Sequence, residues 1–545
     1  MSLRVLLVLF CSLSLAAQSS RAPTPFAGYR IAGVVYDASS GQTLPGARVS
    51  LGSTAGGHVP DRSVITGPDG AFEFDHLAAD KYQMYAEAVG YPLQGFEEHE
   101  PGLLTGVVVG PDNSADRLVF RLQRGSSISG YVTDDYNEPV RDAQVLLFRR
   151  GLSEGEFGTH FSDNAQTDDQ GFYKFAPLLR GTYYVAVSAR PWYARSAADF
   201  MPAPRQAVPQ QVLDSMKNLD TAFPLTFYSG ATDASDATGI PLHSGERASA
   251  DTAMHSVPAL TVRMPGAPDK NHHMPFVRLV RPVFGDYDLP VNVQERGQGG
   301  DMIFTGIAPG HYQAHISVPG EEGDRVQDLD IFGDMTIDPD TFTAAGSCSI
   351  KGVVQLAAGG PLPTRRIYIS LRNRSGGSSQ GRVIDAKGMF TFDGVQPGTY
   401  EVSIGNSMDL YLSDMAASNA KVSGRLVTLA GTSAADLAIV LGKGMGVIHG
   451  VAKLKDKGVG GTMVVLVPDN AGSNYVLFRR DQSDSDGTFA LQRIVPGRYS
   501  VLSIQDGWDL EWSRPDVLKP YLAKATKVTV APGGKYDLEV EVQQK

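Results

Sequence analysis

Cysteine is nearly missing from this chain: two in 545 residues, the first of them, Cys11, inside an N-terminal apolar run. Without that run Cys348 stands alone, so no intramolecular disulfide is available and packing must hold the structure together. Basic clusters are missing too. The 48 Lys and Arg are outnumbered by 59 Asp and Glu, giving a net charge of −11. That excludes a nucleic-acid binder, which needs clustered cations to neutralise phosphates. No apolar stretch reaches the roughly 20 residues that span a bilayer, so no transmembrane segment is expected. Gly-x-Ser-x-Gly elbows, phosphate loops and Cys/His pairings are absent as well, which removes the common hydrolase and nucleotide-binding signatures.

What the chain does have is a period. A glycine is followed twelve residues later by a tyrosine five times: Gly70/Tyr82, Gly171/Tyr183, Gly300/Tyr312, Gly388/Tyr400 and Gly487/Tyr499. Behind each glycine two apolar residues alternate, as in Phe72/Phe74, Tyr173/Phe175 and Phe390/Phe392. A glycine stands two residues before four of the tyrosines, three times as Pro-Gly. Constant spacing with variable filler is one structural unit used repeatedly. Period-two alternation makes each segment a strand with one buried face. Turn residues such as Asp169-Gln170-Gly171 lead into the first strand, and Pro-Gly leads into the one that starts at Tyr. Upstream lies another repeated strand, at Ile31-Ala-Gly33, Ile128-Ser-Gly130, Ile350-Lys-Gly352 and Ile448-His-Gly450, which the third copy lacks. Sixty Gly and 33 Pro fit many turns. Short strands at regular spacing predict an all-β chain, a tandem array of about five β-sandwich domains.

The order Gly-x-Val strand, Leu-Pro-Gly-Ala-x-Val (44–49), Thr-x-x-x-Gly-x-Phe (66–72) and Pro-Gly-x-Tyr resembles the carboxypeptidase regulatory-like domain. The resemblance covers copies one, two, four and five well and copy three weakly. It implies Greek-key, Ig-like or transthyretin-like sandwiches without catalytic activity, a carbohydrate-binding-like fold group found in tandem in bacterial envelope proteins. Residues 1–16 read as a cleaved signal peptide, with Arg4 ahead of the apolar Val5 to Leu15 and Ser14-Leu15-Ala16 as the cleavage site. The expected units are 27–123, 124–265 with an insertion at about 191–250, a degenerate 270–345, 346–443 and 444–545. A short helix is expected over Val208 to Leu219 and a helical turn over Pro515 to Leu522.

Chemistry is sparse. His243-Ser-Gly-Glu246 has the His-x-x-Glu spacing of a zinc hydrolase, but in a glycine-containing loop and with no catalytic domain around it. His311 and His315 have helical zinc spacing, yet on a strand they stand ~13 Å apart. His272-His273 has no neighbouring carboxylates, and Asp481 to Gly487 fails the calcium-loop template at both ends. No catalytic residue, metal or cofactor is therefore assigned. Binding remains: Trp192, Tyr193, Tyr228, Trp508 and Trp512 lie in loop-like segments and would serve as stacking platforms for a polysaccharide. Alternatively they cap the sandwich cores or the joints between units. The partner is then a polysaccharide or an envelope protein, and the competing function is a scaffold or spacer. The repeated Tyr82, Tyr183, Tyr312, Tyr400 and Tyr499 are read as structural.

Overall fold

A computed structural model describes residues 28–54, 62–194, 219–264, 276–285, 287–291, 295–296, 302–317, 324–337, 348–363, 365–374, 379–395, 397–407, 409–430 and 434–545. Residues 1–16, read as a signal peptide, the helix expected from Val208, His272-His273 and Gly300 lie outside them. Five buried clusters succeed one another along the chain, each between two layers of strands, which in the fifth unit are joined through Lys535–Gln544 into one eight-stranded sheet. In the first unit Tyr29–Asp37 pairs antiparallel with Ala71–Leu77 and parallel with Ala115–Leu122. The facing sheet is built on Arg48–Ser53 and Asp80–Ala88. Alternation along these strands sends Ile31, Val49, Phe72, Phe74, Tyr82 and Met84 into the space between. The same antiparallel-then-parallel pairing recurs for Ser126–Thr133, Cys348–Leu356 and Gly446–Leu454. This is the tandem β-sandwich array the period implied.

The repeated residues have repeated duties. Gly70, Gly171, Gly388 and Gly487 all sit at φ between +71° and +86°. In each a Cβ would fall 2.3–2.8 Å from a carbonyl oxygen of the opening strand. Each glycine's own carbonyl accepts that strand's N–H, from Val35, Val132, Val354 and Ala452. Ahead of it, the hydroxyls of Thr66 and Thr167 each bridge two backbone groups of the neighbouring strand connection. Tyr82, Tyr183, Tyr312 and Tyr499 each donate to the carbonyl four residues back. That bond pins the connection to the strand it starts. Tyr183→Phe should therefore lower the stability of the second unit by about 1 kcal/mol, read as an earlier denaturant midpoint for that unit; an unchanged midpoint would make the hydroxyl idle.

Two sequence expectations need correcting. The third unit has its opening strand after all: Leu260–Met264 pairs antiparallel with Met302–Ile307 and parallel with Met335–Thr336. It escaped the pattern because its glycine is gone. Gly352 and Gly450 lie against the rings of Phe390 and Phe489, whereas Met264 occupies the corresponding register opposite Met302. With no ring across from it, the position accepts a long flexible side chain. Nor is 191–250 one excursion. Thr226–Phe227 and Ile240–Leu242 pair with Gly181–Ser188, and Arg247–Ser249 runs parallel to Ser126–Thr133, closing the second sandwich. Strands of two or three residues carry too little alternation to be recognised.

The units also pack on one another. Between the second and third, Phe148, Phe227, Phe284 and Tyr287 form a shared apolar cluster, with Phe161 stacked on Tyr287 at 4.5 Å. The second and fourth are joined by the ion pairs Arg372–Glu154 and Arg374–Glu156. Against the fifth, the fourth sets Arg374 over the ring of Tyr475 at 3.9 Å and Glu401 on the Val476 N–H at 3.1 Å. The array is folded back, not strung out.

Candidate functional site

The site with the densest polar chemistry is the contact of the first unit with the fifth. Its foundation is the strand Met463–Pro468, buried on both faces. Val464 and Leu466 enter the sandwich core, while Met463, Val465 and Val467 point outward. An outward apolar face must be covered, and residues 508–525 cover it with Trp508, Leu510, Trp512, Leu518 and Tyr521. The unbroken run Met463 to Val467 was the sequence signal for a doubly covered strand. The turn at 515–522 is helical, α over Pro515–Leu518 and 3-10 over Lys519–Lys524.

On this cap sits the loop 97–108 of the first unit. His99 stacks on Trp508 at 4.6 Å with the rings 8° from parallel, and its Nδ1 lies 3.0 Å from Gln482 Oε1. The Trp508 Nε1 donates to the Gly461 carbonyl at 3.1 Å. Arg480 makes a two-pronged bond to Glu100, 2.7 and 2.5 Å, while its guanidinium covers Trp512 at 4.2 Å. Gln482 Nε2 donates to the Glu97 carbonyl and to Thr105 Oγ1, both at 2.7 Å. Ser485 N–H reaches the Gly106 carbonyl at 2.9 Å. Lys81 Nζ donates to Asp484 Oδ2 at 2.6 Å, and the Gly106 N–H donates to Oδ1 at 3.2 Å. The Asp484 side chain is only 4 % exposed. Burial pushes its carboxyl up to about 6, with the Lys81 ammonium pulling the other way. A groove of about 780 Å³ runs beside this pair, lined by Gln83, His449, Asp537 and Glu539 among others.

The five predicted platform residues are not brought together. Trp508 and Trp512 are half-buried in the contacts between units, and Gly155 of the second unit lies directly against the Trp512 ring. Tyr228 packs on the second unit's core. Trp192 alone is open, 80 % exposed, edge-on to Tyr193 at 5.8 Å. His243 closes on Glu246 at 2.7 Å within its own exposed loop. His311 faces Asp330 at 2.5 Å while His315 is buried. Asp481 accepts the Ala490 N–H and Asp484 faces Lys81, while the Thr488 hydroxyl donates to both Asp484 and Asp486. Among the described residues no three His, Cys, Asp or Glu side chains converge as metal ligands, and no helix is long and apolar enough to cross a membrane.

Sequence reasoning missed Lys81, His99, Glu100 and Arg480, and read Gln482 and Asp484 only as part of a failed calcium loop; polar side chains at sheet edges look like a solvated surface until the partner unit is placed.

Residues 30–123 and 127–212 match the family model of the carboxypeptidase regulatory-like domain. No curated protein matches the chain. Among solved structures it is similar to the TIE protein of Bacillus anthracis, at 11% identity over 78% of this chain and 76% of that one, TM-score 0.18. It is also similar to GBS52, the minor pilin of Streptococcus agalactiae, at 9% identity over 42% of this chain and 97% of that one, TM-score 0.21. For BcpA, the major pilin subunit of Bacillus cereus, the identity is 9% over 76% of this chain and 99% of that one, TM-score 0.13.

Proposed function

We propose that this chain, whose residues 30–123 and 127–212 are carboxypeptidase regulatory-like domains, is an exported, non-catalytic scaffold of the cell envelope that recognises a protein partner. The supporting observation is where its scarce tryptophans are used. Trp508 stacks on His99 of the first unit and Trp512 lies against Gly155 of the second, while Arg480 over Trp512 reaches Glu100 of the first unit, so the best stacking surfaces hold the units together. Export rests on Arg4 and the apolar run Val5 to Leu15. A body of mutually braced sandwiches offers a wide, fixed surface, and loops on such a frame are the usual recognition elements.

A second reading, polysaccharide binding, keeps one specific observation: the exposed Trp192 beside Tyr193. A glycan array probed with the full chain and with Trp192→Ala separates the two. The scaffold reading expects silence on the array, no turnover of peptide, ester or glycoside substrates, and cross-links to envelope protein in the producing cell. Glycan binding that Trp192→Ala loses would replace it with the second reading. Turnover of any substrate would end the non-catalytic one.

A further inference from the structure

The face of the second unit that meets the third changes character along its length. Val145 and Leu147 point into the sandwich core, so alternation turns Gln144, Leu146 and Phe148 outward. Leu146 and Phe148 enter the apolar cluster shared with the third unit. Two residues before Leu146 that face becomes polar. Gln144 stands opposite Gln166 on one side and Ser188 on the other, and Asn164 lies opposite Leu146. Here a cleft of about 500 Å³ lies between the two units. Gln144, Asn164, Gln166 and Ser188 supply its polar wall, while Leu289, Pro290 and Val291 of the third unit supply apolar surface.

The carboxamides are what this cleft has to offer a ligand. Asn164 and Gln166 are exposed and Gln144 is half-buried, and among the described residues no partner holds any of these three side chains. The arginines, by contrast, are occupied. Arg281 donates to the Thr232 carbonyl at 2.7 Å and lies over the Tyr312 ring, and Arg190 is engaged as well. Asp142 is the one carboxylate in the lining, so no strongly charged ligand is called for. Nor do the rings offer a stacking face, since Phe223 and Tyr312 are 7 % and 5 % exposed. That disfavours a saccharide, which packs on an open ring.

We propose that this cleft binds an extended stretch of polypeptide, held through its backbone. The inference rests on the reading of the chain as a scaffold that recognises a protein, and it gives that recognition a place. A carboxamide carries a donor and an acceptor side by side, the pair that a peptide group presents. Strands lie about 4.8 Å apart, so the row Gln166, Gln144, Ser188 spans ~10 Å, the length of three extended residues at ~3.3 Å each. A segment laid across the strands keeps its peptide groups within reach of that row and sets alternate side chains against Leu289, Pro290 and Val291. The volume falls within the roughly 300–1,000 Å³ of ligand sites, which favour domain interfaces.

The test probes an array of acetylated, amidated tetrapeptides of Ala, Val, Leu, Ser and Thr with the full chain. A captured tetrapeptide, titrated by calorimetry, should show one saturable site. Asn164→Ala/Gln166→Ala alters only exposed side chains, so it should melt with the wild type and weaken the tetrapeptide about tenfold, the worth of two hydrogen bonds. N-methylation of the peptide's amides should weaken it as much, because that removes backbone donors and leaves the side chains in place. An array that captures nothing would overturn the proposal, as would a double variant or a methylated peptide that binds like its parent. A saccharide held by the wild type and lost by the double variant would assign the cleft to a sugar instead. Cross-linking in the producing cell separates the cleft from the reading beneath it. Links to envelope protein that survive the double variant sink the cleft alone, whereas a wild type that forms none removes the scaffold reading and the proposal together.

Discussion

Lys81→Met should part the first unit from the fifth at neutral pH and let them close again in acid. Removing the ammonium leaves Asp484 ionised, almost fully buried and with its Oδ2 facing no cation. Breaking a buried ion pair from one side costs about 3–5 kcal/mol. At pH 7.5 small-angle scattering should show a larger radius of gyration. Hydrogen exchange should rise in 97–108 and 480–488 while the five cores stay protected. A scattering curve and exchange pattern identical to the wild type would show that the pair does not hold the units.

The pH dependence follows from the same carboxyl. Its pKa is about 6 in the closed contact, raised by burial against the pull of Lys81, and 3.8 when free. A raised pKa means that the closed form binds the proton more tightly. Asp484's contribution to closure is therefore fully present below about 4 and is lost as pH rises through about 6. At 1.36 kcal/mol per unit the swing is at most about 3 kcal/mol. Lys81 facing the carboxylate is what keeps the wild type closed above that range. Asp484→Asn should flatten the profile, isolating this carboxyl from Glu97, Glu98, His99 and Glu100 on the facing loop and from Asp481 beside it. A pH profile unchanged by Asp484→Asn would assign the titration to one of those groups.

Gly388→Val should prevent the fourth unit from folding while its neighbours survive. The backbone there has φ +80°, and a Cβ would lie 2.3 Å from the Val354 carbonyl oxygen. A left-handed backbone costs a side chain about 1–2 kcal/mol. The clash would in addition force apart the bond between the Gly388 carbonyl and the Val354 N–H. About 4 kcal/mol or more is expected, the range reserved for severe defects. Gly359→Val is the control: its φ is +71°, but nothing lies within 4 Å of its Cβ. Exchange protection at Cys348–Leu356 and Met389–Val395 should collapse in the first variant and persist in the second. Equal behaviour of the two would mean that backbone conformation alone, not the close approach, sets the cost.

How much was legible follows from how far each cause lies along the chain. Gly70 and its counterparts, and the tyrosines twelve residues on, act on backbone within their own unit, and strict spacing displays that action. Alternation showed which faces are buried. The opening strand of the third unit was hidden because Met264 had replaced the marker glycine, not because the strand was absent. The Trp508 and Trp512 segment was visible as a break in the array, but what covers those rings was not.

By itself, then, the sequence determined the repeat, the all-β sandwich and the turns that build it, since these depend on steric rules acting over a dozen residues. Asp168, Asp385 and Asp484 hold one place in three copies of a turn. The first two accept N–H groups of their own turns, from Gln170 and Phe172 and from Lys387 and Met389. Asp484 keeps only the Thr488 hydroxyl of its own turn and faces Lys81 and the Gly106 N–H of another unit. Tertiary structure alone decided that difference, along with the cleft between the second and third units. The reason is that a charge takes its partner from whatever the folded chain brings within hydrogen-bond reach, and a partner 403 residues away in the chain leaves no local trace.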